Sequence, residues 1–159
     1  MSAARVTRLT GFRGAEITGL DLSAGVEEDV AQVLRHALAQ HHMVVLRDQH
    51  LDLARQKAVT RVFGPVMQLP YVSPIEDDPD VIAVLKEASE RNSGVFGGEW
   101  HSDFSFLENP PAGSVLNAVE IPEVGGDTVC THAAAGKSGH APHRCRHTVL
   151  QRSSLAGSF

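Results

Sequence analysis

Two cysteines in 159 residues, Cys130 and Cys145, are too few for a disulfide framework and stand at no spacing that reads as a zinc site. No apolar run approaches the roughly 20 residues that cross a bilayer. Met1-Ser2-Ala3-Ala4-Arg5 has no apolar core behind it of the kind a secretory signal carries. Positive charge is not in excess: 14 Lys and Arg stand against 19 Asp and Glu, a formal net charge of −5, which argues against a nucleic-acid surface. These absences leave a soluble globular class. A hydrophobic content of 42% and a charged content of 21% agree with it. The length suits one ordinary domain, and a cytoplasmic location without nucleic-acid or membrane partners is the expectation.

What is present divides into short strands and two helices. Arg5 to Leu22 reads as two strands joined by a turn at Gly11 to Gly14. Over Glu27–His41, Val30, Val33, Leu34, Ala37 and Leu38 recur at helical spacing, with Glu27, Glu28 and Asp29 where acids suit a helix N-terminus. Met43 to Leu46 is a short apolar run that reads as a buried strand. A second helix is predicted over Asp52–Phe63, with Ala54, Ala58, Val59, Val62 and Phe63 inward and Gly64-Pro65 as the stop. From Leu69 to Asn92 the chain is polar and proline-punctuated, and only Val81–Leu85 reads as a strand. Asn109-Pro110-Pro111 make a turn before a further strand, Ser114 to Ile121.

The stretch richest in chemistry is Gly97-Gly98-Glu99-Trp100-His101-Ser102-Asp103-Phe104-Ser105-Phe106. Read as a strand, it points residues two apart to the same side. His101 and Asp103 then offer one imidazole nitrogen and one carboxylate oxygen to a single metal ion, two members of a two-His, one-carboxylate set of the type that holds non-haem Fe(II). Taken alone, a bare His-x-Asp is better explained by a surface strand. By the same alternation Trp100, Ser102 and Phe104 face away.

Further signatures lie around this pair: Gly14-Ala15-Glu16-Ile17-Thr18-Gly19-Leu20-Asp21-Leu22, Met43-Val44-Val45-Leu46-Arg47-Asp48-Gln49, Gly113-Ser114-Val115-Leu116-Asn117-Ala118-Val119-Glu120-Ile121-Pro122 and Gly125-Gly126-Asp127-Thr128. In this order the segments closely resemble the TauD/TfdA (taurine dioxygenase) family of Fe(II)- and 2-oxoglutarate-dependent oxygenases, from about Val6 to Thr128. Trp100-His101-Ser102-Asp103 and Gly125-Gly126-Asp127-Thr128 are the sharpest motifs.

The resemblance implies an α+β, mainly β fold: a double-stranded β-helix, or jelly roll, with outer helices, incomplete in this chain. It implies His101 and Asp103 as catalytic iron ligands and Thr128 as a hydroxyl donor to the carboxylate of 2-oxoglutarate. A donor suits an anion, and a turn role for Thr128 would serve the backbone equally. Tyr71 is the candidate substrate residue in the polar region, which in the family helps cover the substrate. The implied reaction couples decarboxylation of 2-oxoglutarate, giving succinate and CO2, to hydroxylation of a small organic acid by O2. Full-length members are expected to be homo-oligomers. The family's second His and its 2-oxoglutarate-pairing Arg match nothing in this chain, so these 159 residues are expected to be inactive.

After Thr128 the character changes, which sets residues 1–128 apart as the family-like part and 129–159 as an aberrant tail expected to be disordered. From Thr131 to Phe159 there is no Asp or Glu, yet His132, His140, His143 and His147 stand with Lys137, Arg144, Arg146 and Arg152. Family members follow Gly-Gly-Asp-Thr with an apolar residue and then Phe-Ala-x-Met. If Phe-Ala was encoded TTY-GCA, losing two bases yields the Cys130 codon and the start of a Thr codon. The other frame across Thr131-His132-Ala133 restores x-(Met or Thr). A frameshift near Val129–Cys130 is therefore the expectation. A non-catalytic jelly-roll metal- or ligand-binding module, or a protein whose working part is a His-rich metal-binding tail, are the other readings open at this point.

Overall fold

The structure is a computed structural model. It describes residues 4–11, 13–85, 101, 103–121, 124 and 128–130, together with the backbone of 147–151. Trp100, Ser102, Gly125, Gly126, Asp127, His132, His140 and His143 lie outside the described residues. The chain divides into two compact units, residues 1–65 with 112–159, and residues 66–111.

In the first unit the order is β1 (Arg5–Arg8), β2 (Ala15–Thr18), α1 (Glu28–His41), β3 (Met43–Arg47), α2 (Leu53–Arg61), β4 (Ser114–Asn117) and β5 (His147–Gln151). The strands form one sheet in the order β1-β2-β3-β5-β4. β1 and β2 pair antiparallel, Arg5 opposite Thr18 and Arg8 opposite Ala15, while all the other pairings are parallel. The turn between β1 and β2 closes on Gly14, whose φ of +82° is a left-handed value that glycine adopts without strain. Its carbonyl accepts from Leu9 N–H (2.9 Å), and its own N–H donates to the His41 carbonyl at the end of α1 (3.0 Å).

β3 is the centre of the core. Val44, Val45 and Leu46 are all buried, so both faces of this strand are covered; that is why Met43–Leu46 reads as a continuous apolar run rather than an alternation. α1 contributes Leu34, Ala37 and Leu38, β2 contributes Ile17, and α2 contributes Val59. Removing a buried leucine such as Leu34 would cost about 2–5 kcal/mol. The ends of α2 follow from local chemistry. Asp52 Oδ1 accepts from Arg55 N–H at 2.7 Å as an N-cap. After Arg61 the bonds tighten to three-residue spacing until Gly64, at φ +142°, turns the chain away.

Several expectations are corrected. Ala54 is exposed, because the short α2 buries only Val59 fully. The strand expected over Ser114–Ile121 is limited to Ser114–Asn117. Val81–Leu85 forms no strand: the chain there has no ladder partner among the described residues, and Val84 and Leu85 are exposed. In the second unit, which holds this segment, local turns replace a sheet, with Ile75 N–H donating to the Val81 carbonyl at 2.8 Å. The tail is not wholly without structure, since His147–Gln151 form β5. A Thr-Val-Leu centre is strand-prone, and a neighbour on each side offers ladder partners. The second sheet that a double-stranded β-helix requires is not among the described residues.

Candidate functional site

His101 and Asp103 do come together, though not as a strand presents them. His101 Nε2 lies 3.1 Å from Asp103 Oδ1. The backbone from Asp103 to Phe106 is a turn, closed by Leu107 N–H donating to the Phe104 carbonyl at 3.1 Å, with Phe104 at φ +49°. A left-handed residue cannot continue a strand, so the alternation argument fails from Phe104 onward. Phe104 and Phe106 are in contact, ring centroids 6.0 Å apart and tilted by 47°. Phe106 is exposed rather than packed into a core.

The donor set fits a divalent metal. One imidazole nitrogen and one carboxylate oxygen are the ligand types of non-haem iron sites. Metal–ligand bonds of about 2.1 Å at right angles place neighbouring donor atoms about 3 Å apart, which matches the observed separation. Half of the His101 side chain is open to solvent, and that of Asp103 is less exposed, so an ion could reach the pair. Among the described residues no group of three or more His, Cys, Asp or Glu side chains could hold a metal together.

Thr128 belongs to the first unit, exposed and outside the strands. Tyr71, in the second unit, is 91% exposed at φ +71°. A groove of about 930 Å³ between β1 and α1, lined by Val6, Arg8, Val33, His36 and His41 among others, contains none of these residues. Sequence reasoning missed two polar groups that matter to the fold. Gln49 is buried, and its Oε1 accepts from Leu22 N–H (2.9 Å) while Nε2 donates to the carbonyls of Leu20 (3.1 Å) and Arg47 (2.8 Å). His41 is also buried. Burial first, and then the charges of Arg8 and His36, hold its pKa below the ordinary value. Periodicity alone carried no signal for either.

Comparison with known proteins bears on the same residues. The family "Taurine catabolism dioxygenase TauD, TfdA family" matches residues 5–135. An alkylsulfatase of Acinetobacter baylyi is 34% identical over 125 residues, covering 78% of this chain and 38% of the relative. An alpha-ketoglutarate-dependent sulfate ester dioxygenase of Pseudomonas putida is 33% identical over 128 residues, covering 80% of this chain and 41% of the relative. The crystal structure of a taurine dioxygenase from Burkholderia xenovorans superposes with a TM-score of 0.54 at 26% identity, over 69% of this chain and 38% of that one. The chain belongs to the TauD/TfdA family, a family of dioxygenases. It spans about two fifths of the length of the curated relatives it matches.

Proposed function

We propose that this chain is the N-terminal part of an Fe(II)- and 2-oxoglutarate-dependent dioxygenase that hydroxylates a small organic acid, of the sulfonate or alkyl sulfate type. The observation that carries the reading is the 3.1 Å approach of His101 Nε2 to Asp103 Oδ1 in a chain of this family. The names of the relatives, an alkylsulfatase and a sulfate ester dioxygenase, support the substrate class. The complete fold would be the double-stranded β-helix, and the complete enzyme a cytoplasmic homo-oligomer.

His101 would hold the metal through Nε2 and Asp103 through its carboxylate. When bound, Fe(II) supplies the O2 activation that couples decarboxylation of 2-oxoglutarate to hydroxylation of the substrate. The chain's own residues bind and orient. His101 must present a deprotonated Nε2 to the metal. Thr128 would donate its hydroxyl to a carboxylate of 2-oxoglutarate, and Tyr71, open to solvent, would cover the substrate.

The test is titration of the 159-residue polypeptide with Fe(II) or Co(II) under anaerobic conditions. Weak binding is expected, reduced at least about tenfold in His101→Ala and in Asp103→Ala, since each loses one of two protein ligands. The same polypeptide is expected to release no succinate above the His101→Ala control, because two ligands and no 2-oxoglutarate-pairing Arg make an incomplete site. Metal affinity that is unchanged in both variants would overturn the assignment of the pair.

A further inference from the structure

β3 and β4 do not pair with each other. Each pairs along its length with β5 between them: Met43–Arg47 of β3 with His147–Gln151, and Ser114–Asn117 of β4 with His147–Leu150, both parallel. The two walls are anchored without β5. β3 sits in the core through Val44 and Leu46, both fully buried. β4 packs Val115 against that core, and Asn117 Nδ2 donates to the Leu51 carbonyl (3.3 Å) and to Gln56 Oε1 (3.4 Å) beside α2.

β5 arrives differently. It follows β4 only after residues 118–146, and parallel pairing on both sides means that no hairpin sets its register. The facing edges of β3 and β4 therefore carry the information for where this strand sits. A buried strand such as β3 left with an open edge would strand backbone N–H and C=O groups away from water, and such groups are obligatory hydrogen-bonding partners.

We propose that the channel between β3 and β4 is a binding site for an extended peptide, taking a strand parallel to both walls, and that the tail segment His147–Gln151 is its occupant. Recognition is by main-chain pairing on two sides at once, a two-edged form of strand addition. The chemistry selected is an extended segment with free N–H groups and a β-branched, apolar centre, which the sequence His-Thr-Val-Leu-Gln supplies. The proposal rests on the backbone pairing alone and not on the metal chemistry above.

The experiment uses the full 159-residue chain and a fluorescein-labelled peptide with the sequence of Arg146–Ser154. Val149 is the register partner of both Val45 and Leu116, so Val149→Pro removes a ladder N–H at the centre of β5 and disengages the tail. The variant is expected to bind the peptide saturably. The unaltered chain should bind it at least about tenfold more weakly, because its tethered segment competes at millimolar effective concentration. Equal binding to both chains would overturn the proposal. So would absence of binding to a variant whose β1–β2 amides remain protected from exchange. A second measurement needs no variant: in the unaltered chain, amides of His147–Gln151 and Ser114–Asn117 should exchange in step, within about threefold, because one opening event frees both. Exchange of the His147–Gln151 amides at free-peptide rates would overturn it.

Discussion

Gln49 shows how much one side chain of this protein holds. Its amide takes the Leu22 N–H and gives both hydrogens to the carbonyls of Leu20 and Arg47, tying the segment after β2 to the end of β3. Replacement by leucine keeps much of the volume but leaves these buried backbone groups without partners. Gln49→Leu is expected to lower unfolding free energy by about 2–3 kcal/mol, read as the shift of a urea denaturation midpoint followed by circular dichroism. A shift below about 0.5 kcal/mol would mean that water replaces the amide at all three groups. The residue lay in plain view within Arg47-Asp48-Gln49, yet two of its partners are 27 and 29 residues away, a distance that no local pattern bridges. The His101–Asp103 pair is the opposite case. Spacing of two announced their meeting, and the chain turns immediately after it, from Asp103 to Phe106.

At the level of elements, α1 was the most legible. Its inward residues Leu34, Ala37 and Leu38 are buried, and its start after Glu27 agrees with the acidic first turn. Its far end carries a consequence the pattern did not suggest. His41 sits in the last turn, where the helix dipole favours a cation, but burial and the Arg8 charge outweigh the dipole and lower its pKa. The folded state then binds fewer protons than the unfolded state just below the ordinary histidine value of 6.5. Stability from this group is complete above that value and is lost as the pH falls through it toward the lowered folded pKa. Unfolding free energy should therefore decline from about pH 8 to about pH 5, and the decline should be shallower in His41→Gln. Identical pH slopes in the two proteins would show that His41 does not contribute. Val81–Leu85 illustrates the limit of element-level reading: an apolar run becomes a strand only where a neighbour offers a ladder, and none of the described residues does so there.

For the molecule as a whole, the family match ends at residue 135, shortly after Gly125-Gly126-Asp127-Thr128. We propose a frame change near Val129–Cys130, which sequencing of the coding DNA would test directly. In a chain continued in the family frame, Fe(II)- and 2-oxoglutarate-dependent oxidation of a small acid is expected. Thr128→Ala should weaken 2-oxoglutarate about ten- to a hundredfold, the worth of one hydrogen bond to a charged group, with little change in the chemical step. His101→Ala should abolish turnover. An unaltered apparent affinity for 2-oxoglutarate in Thr128→Ala would leave Thr128 a turn residue.

The sequence by itself determined what depends on neighbours along the chain and on residue identity: the two helices, the apolar run of β3, the turn at Gly11 to Gly14, the family and its His-x-Asp pair. Helical periodicity and glycine's freedom at positive φ act within a few residues, so a one-dimensional pattern carries them. Only the tertiary structure decided the rest. It set the strand order β1-β2-β3-β5-β4, the burial of Gln49 and His41, and the recruitment of His147–Gln151 as a strand. Each of these depends on partners far apart in sequence, and a ladder, a desolvated imidazole or a satisfied amide exists only when the fold brings those partners within hydrogen-bonding reach.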